Sequence, residues 1–197
     1  MPLSTRRIGP DDIIPDSDFA RERRARRAAL LPLKALRRIA LGPYCTFYFE
    51  SFDTMLFQVQ EMLLIEKGGE AQLRDELEAY NPLIPQGSEL VATMMFEVED
   101  ADRRARFLAG LGGVEDRFFI AIGGDRIGGI PDSDVERSRA DGKTSSVHFL
   151  HFPFAAAQVA AFRDPSTIVT LGCDDPRYAH ATTLGADSRR ELERDFD

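Results

Sequence analysis

Residues 42–67 constrain the fold more than any other stretch of the chain. Over 44–50, strict alternation sets Cys45, Phe47 and Phe49 on one face and Tyr44, Thr46, Tyr48 and Glu50 on the other, the period of a half-buried strand. A helix follows at once, with Asp53 as the expected N-cap and Gly68-Gly69 closing it after Lys67. At about 100° per residue, Met55, Leu56, Val59, Met62 and Leu63 share one arc and Phe57 and Leu64 another, with Thr54, Gln58 and Glu61 as a narrow polar stripe between them. A strand feeding directly into so apolar a helix requires the helix to fold back onto the sheet. The stripe is then either a thin solvent strip or a row of groups in a cleft. The second reading needs partners elsewhere in the chain, because an unpartnered buried carboxylate is costly.

The remaining elements alternate between the two classes. An Arg-rich helix is expected from Asp16 or Ser17, kinked or ended by Pro32, and a second helix over 70–80 stops at Asn81-Pro82. Strands are expected over 89–98 and 146–154, with a hairpin over 117–130 turning at Gly123-Gly124-Asp125. Further strands are expected over 167–173 and 178–184. Helices are expected over 102–111 and 154–162, and a last one at a Ser188–Glu191 capping box. Residues 131–143 read as a polar, mobile loop with a helical turn at 134–138. The pattern predicts an α+β fold: a mainly antiparallel sheet with the helix over 53–67 on one face and the basic N-terminal helix docked beside it. A single domain over 1–197 is expected, with a basic helical segment at 1–38 and an α+β body at 39–197.

The net charge of −8 is unevenly spread. Residues 1–38 hold ten Lys/Arg against five Asp/Glu, and the rest hold 15 against 28. A basic arm can bind nucleic acid, but the body offers no basic, aromatic-interleaved surface, so the expected partner of the arm is the acidic body itself. No apolar run approaches the roughly 18 residues of a membrane span, and the N-terminus lacks a secretory apolar segment. A cytoplasmic protein without membrane insertion is expected. Cys45 and Cys173 have no metal-ligand spacing and read as buried thiols.

Known catalytic signatures fail. Gly142-Lys143-Thr144 resembles the end of a phosphate-binding loop, but Arg137 stands where its first glycine belongs, and no nucleophile elbow, Cys-x-x-Cys or His-Glu-x-x-His occurs. The topology can still gather polar groups. Glu50, Gln58, Glu61, Asn81, Glu89, Lys143 and His148 form the candidate ligand-binding set. A divalent metal (iron, manganese or zinc) held by Glu61, Glu97 and His148 is the competing reading, since carboxylate oxygen and imidazole nitrogen suit such ions. A buried carboxylate among them can also do general acid/base work, so enzyme and binding protein both stay open.

Several motifs resemble an uncharacterised bacterial family described only as a domain of unknown function. They are RIALGP at 38–43, Phe49-Glu50 with Asp53-Thr54, and FQVQEM at 57–62. YNPLIP at 80–85 with Glu89-Leu90 and Ala92-Thr93, and KTS at 143–145 with VHF at 147–149, complete the set. The resemblance spans nearly the whole chain and implies that Glu50, Gln58, Glu61, Asn81, Glu89 and His148 act as one group. Genes of that family often stand beside those of rubrerythrin-like proteins and iron-sulfur oxidoreductases. The resemblance thus implies an accessory role in a redox or oxidative-stress pathway, with those proteins as partners, and the leading reading is a non-enzymatic protein that binds a partner protein or a small ligand in a cleft lined by Gln58, Glu61, Asn81 and His148. Self-association remains open.

Overall fold

A computed structural model of the protein describes residues 6–132 and 143–197. The helical turn expected at 134–138 lies outside the described residues. The chain builds two antiparallel sheets. The first has the order β1 (Arg38–Leu41), β2 (Cys45–Phe49), β3 (Glu89–Phe96), β7 (Val147–Pro153), β6 (Ile130–Pro131). The second runs β5 (Asp125–Gly128), β4 (Phe118–Ile122), β8 (Val169–Cys173), β9 (His180–Thr183). The α+β class and the antiparallel pairing stand as expected, but the strands divide between two sheets. The strand at 38–41 is one that the sequence pattern did not indicate.

Alternation explains the layering. Cys45, Phe47 and Phe49 meet Leu90, Ala92, Met94, Leu150 and Phe152 from the same sheet and Phe118, Ile120 and Leu171 from the other, forming one core between the sheets. Aromatic rings fill it, with Phe47 edge-on to Phe118 at 5.3 Å. The opposite face of the five-stranded sheet carries a second, smaller core. There Val91 packs with Met55, Val59 and Leu63 of α2 (Phe52–Glu66), with Leu83 and Ile84, and with Ile8 of the N-terminal lead-in. Partly buried Leu73 and Leu77 of α3 (Gly69–Tyr80) close it.

Helix α1 (Asp16–Leu36) docks on α2 through Phe19 and Phe57, ring centroids 5.6 Å apart. It continues through Pro32 to Leu36, so Pro32 does not end it. Pro32 and Ala28, whose carbonyl loses its intrahelical partner there, are both exposed, so water can take that bond. Helix α2 is capped by Ser51, not Asp53: Ser51 Oγ accepts from Thr54 N at 3.3 Å, and Thr54 Oγ1 accepts from Ser51 N at 2.9 Å. The chain leaves it through Lys67 in the left-handed region, φ 57°. Short helices α4 (Ala101–Ala109), α5 (Ala156–Arg163) and α6 (Ala186–Leu192) complete the fold.

Where α1 ends, Arg37 is 2% exposed. Its Nη1 donates to Glu50 O at 2.8 Å and Asp195 Oδ2 at 2.9 Å, its Nη2 to Asp195 Oδ1 at 2.7 Å and Glu191 O at 3.4 Å, and its Nε to Glu191 Oε1 at 3.2 Å. Burial works against this charge, but the bonds and charges of Asp195 and Glu191 hold its pKa above the ordinary arginine value. Removing one partner from such a cluster strands a buried charge. Arg37→Met should lower stability by about 3–5 kcal/mol in urea unfolding, with most of the loss recovered in Arg37→Met/Asp195→Leu. An unchanged urea midpoint in the single variant would contradict this role.

Candidate functional site

Glu50 sits where β2 passes into α2 with no intervening loop. Its backbone N still pairs with Val91 O at 2.8 Å, and the next residue, Ser51, already caps the helix. Sheet ladder and helix cap therefore fix the position of the side chain from both sides. Continuing the β2 alternation, it points to the helix side of the sheet, away from the aromatic core. Thr93, opposite Tyr48 in the register, is its diagonal neighbour. Thr93 Oγ1 donates to Glu50 Oε1 at 2.7 Å, and Thr54 Oγ1, one helical turn on, donates to Oε2 at 2.7 Å.

The residue is 9% exposed and lines a pocket of about 240 Å³. Phe49, Met55 and Met95 supply apolar wall, and Tyr48, Thr54, Gln58, Thr93, Lys34 and Arg37 supply the polar remainder. Burial pushes the Glu50 carboxyl above its ordinary pKa. Hydrogen bonds from Thr54 and Thr93, then the charges of Lys34 and Arg37, pull it back without cancelling that effect. A carboxylate so placed can accept a hydrogen bond from a ligand or exchange a proton with one.

The expected polar stripe on α2 divides between two neighbours. Thr54 and Gln58 face the pocket over Glu50. Glu61, seven residues beyond Thr54, turns to α1, where Arg23 grips it with Nε–Oε1 2.7 Å and Nη2–Oε2 2.6 Å. The basic arm thus meets the acidic body as the charge asymmetry suggested. Gln60 serves the fold instead, since its amide brackets the backbone of Ile14, accepting from N at 3.0 Å and donating to O at 3.2 Å. Asn81 does the same for Ile8, at 2.7 and 3.1 Å. Two side-chain amides therefore stand in for a partner strand along the lead-in.

The other expected members do not join Glu50. His148 is 0% exposed and belongs to the opposite face of the sheet, since it opposes core-facing Met94 in the register; its Nε2 lies 2.9 Å from Thr144 Oγ1 and 3.0 Å from Ser145 O. One sheet cannot bring residues of both faces into a single pocket, so the expected cleft of Gln58, Glu61, Asn81 and His148 is corrected. Lys143 adjoins Thr144 and does not line the Glu50 pocket. Glu89 contacts His151, Oε2 to Nδ1 3.0 Å. Glu97 accepts from Thr46 and Tyr48, both at 2.6 Å, and from Arg38 at 3.4 Å. These hydrogen bonds, with the Arg38 charge, hold its carboxyl below the ordinary value against partial burial.

The proposed metal ligands Glu61, Glu97 and His148 thus have three separate sets of partners and do not form one coordination sphere. Among the described residues no group of three or more His, Cys, Asp or Glu is placed to hold a metal ion. Both cysteines are buried, and burial pushes the Cys173 thiol up to about 11 and raises that of Cys45 as well. Neither supplies a thiolate near neutral pH.

A wider groove of about 860 Å³ lies between the lead-in and α3, lined by Arg6, Arg7, Leu73, Arg74, Leu77 and Asn81 among others. Among its described lining residues the one candidate, Asn81, is consumed by Ile8, and none is a buried ionisable group. The Glu50 pocket is therefore the better site. Lys34 and Arg37, counted in the sequence only as charge, are the members it left unrecognised. No local pattern marks them, because neighbouring Arg38 looks the same and is exposed.

A family model described as protein of unknown function (DUF3501) matches residues 7–196. The chain belongs to that family. A crystal structure of a protein of unknown function from Burkholderia pseudomallei K96243 is 35% identical, with a TM-score of 0.89 over 96% of this chain and 99% of that one. No curated protein matches the chain. Among the described residues of this family member, no helix is long and apolar enough to cross a membrane.

The raised Glu50 pKa fixes the sign of a pH effect. Between the unfolded and folded values the folded protein binds a proton that the unfolded chain does not, so stability falls as pH rises through the folded value. The charged or titratable groups facing Glu50 are Lys34 from α1, Arg37 just past its end and Tyr48 from β2, with Asp195 and Glu191 behind Arg37. Glu50→Gln keeps the shape and removes the charge, while a threonine hydroxyl can turn to accept from the new amide. Thermal unfolding from about pH 4 to about pH 8 should show Glu50→Gln at least as stable as the wild type near neutrality, with its relative advantage shrinking in acid. A variant less stable at neutral pH than in acid, relative to the wild type, would contradict the burial penalty.

Proposed function

We propose that this family member is a non-enzymatic, ligand-binding accessory protein whose small polar ligand docks at Glu50. One observation carries the reading: a buried carboxylate, fixed by two threonine hydroxyls at 2.7 Å each, lines an accessible pocket at the junction of a strand and a helix. Folding alone does not call for such a group. An apolar residue there would cost no desolvation, whereas a carboxylate supplies an acceptor that a ligand's N–H or O–H can use.

The setting in a redox or oxidative-stress pathway, with rubrerythrin-like or iron-sulfur oxidoreductase partners, is supported by the family resemblance. Both thiols are buried with raised pKa values, which supports a binding role for this chain over thiol chemistry of its own.

A thermal-shift screen of small polar metabolites tests the proposal. A ligand at a hundred times its Kd should add about 2.7 kcal/mol to the wild type, and the gain should vanish in Glu50→Gln and in the pocket-filling Gln58→Phe. Ligands that stabilise wild type and both variants equally would place binding elsewhere and overturn the reading.

A further inference from the structure

We propose that the pocket over Glu50 takes an amino-acid-like zwitterion, its ammonium on the Glu50 carboxylate and its carboxylate on Lys34 at the rim. This deepens the ligand-binding reading above, on which it rests, by naming the chemical class of the ligand.

The argument is a count of hydrogen-bond capacity. Each carboxylate oxygen has two lone pairs, and each Glu50 oxygen receives one hydroxyl donor, from Thr93 or Thr54. Two acceptor directions are therefore left on a buried anion that borders open space. Arg37 also lines the pocket but is no anion receptor, because its five N–H groups are spent on Glu50 O, Asp195 and Glu191. Lys34 is exposed and engages no hydrogen bond or ion pair among the described residues, so it is the cation left to receive an anionic group.

Charge then selects between ligand classes. A simple anion entering the pocket would face the Glu50 carboxylate, and a simple cation would leave Lys34 unpaired beside it. A ligand with both charges satisfies both residues and leaves the pocket neutral. Size agrees with this: about 240 Å³ is room for roughly eight water-sized units, the scale of one amino acid. Met55, Met95 and the Tyr48 ring offer apolar surface to its side chain, and the Gln58 amide can serve either end.

The test is NMR titration of the full-length protein with the twenty common amino acids and, for each, the matching amine without its carboxylate and the matching acid without its ammonium. At millimolar concentration at least one amino acid should shift amide resonances around residues 50–58 and 93, and both of its half-analogues should bind at least about tenfold weaker, the size of one lost charged contact. Lys34→Ala should weaken the amino acid to the level of its amine, and Glu50→Gln should abolish both. Lys34→Glu, on an exposed side chain, should invert the preference toward the amine and keeps the test valid if Glu50→Gln folds poorly. An amine that binds as tightly as the amino acid, still dependent on Glu50, would overturn the zwitterion and leave the ligand-binding reading standing. An acid that binds as tightly and survives Glu50→Gln would overturn both. If no amino acid binds, the zwitterion fails, and the broader metabolite screen decides the ligand-binding reading separately.

Discussion

The guanidinium of Arg37 carries a full charge into the protein, and all five of its N–H groups are used there. Its partners come from the β2–α2 junction and from the last residues of the chain. The end of α1, the Glu50 backbone and the C-terminal segment are thereby tied at one point. Asp195 lies in the turn after α6, and neighbouring Phe196 packs against Phe154 and Phe162. Arg6 donates to Asp195 O at 2.6 Å and so brings the N-terminal lead-in to the same knot. A buried charge can persist only when its donors are fully met, so these segments must arrive together.

That knot also shapes the candidate site. Because Arg37 holds the Glu50 carbonyl, the carboxylate just beyond it keeps a fixed position at the start of α2. Because the same guanidinium is saturated by two carboxylates and two backbone carbonyls, it lends positive field to the pocket without offering a donor. Glu50 therefore combines a costly burial with unused acceptor capacity. On the proposed reading that capacity serves a small external ligand, with Thr54, Thr93, Gln58 and Lys34 around it.

Much of the fold was legible because it depends on periodicity. The alternation of Cys45, Phe47 and Phe49 placed those residues in the core and Glu50 on the opposite face, and the apolar arc of α2 required that helix to lie on the sheet. The division into two sheets was not legible, since a strand's pattern says which face is buried but not which sheet receives it. Of the site, Glu50 and Gln58 were readable as polar residues that the hydrophobic pattern left over. Glu61 carried the same signal and proved to belong to Arg23, because a helical stripe records angle around the axis and not which neighbour stands there. His148 was grouped with the others by the family resemblance but lies on the opposite face of the sheet.

The sequence by itself determined the α+β class, the antiparallel pairing, the buried cysteines and the pairing of basic arm with acidic body, since each follows from local period, composition or summed charge. Only the tertiary structure decided which polar groups meet. Arg37 finds Asp195 158 residues away, and Thr93 reaches Glu50 across 43. A contact of that kind depends on register between strands and on the angle at which a helix docks, and neither quantity is written in any short stretch of chain.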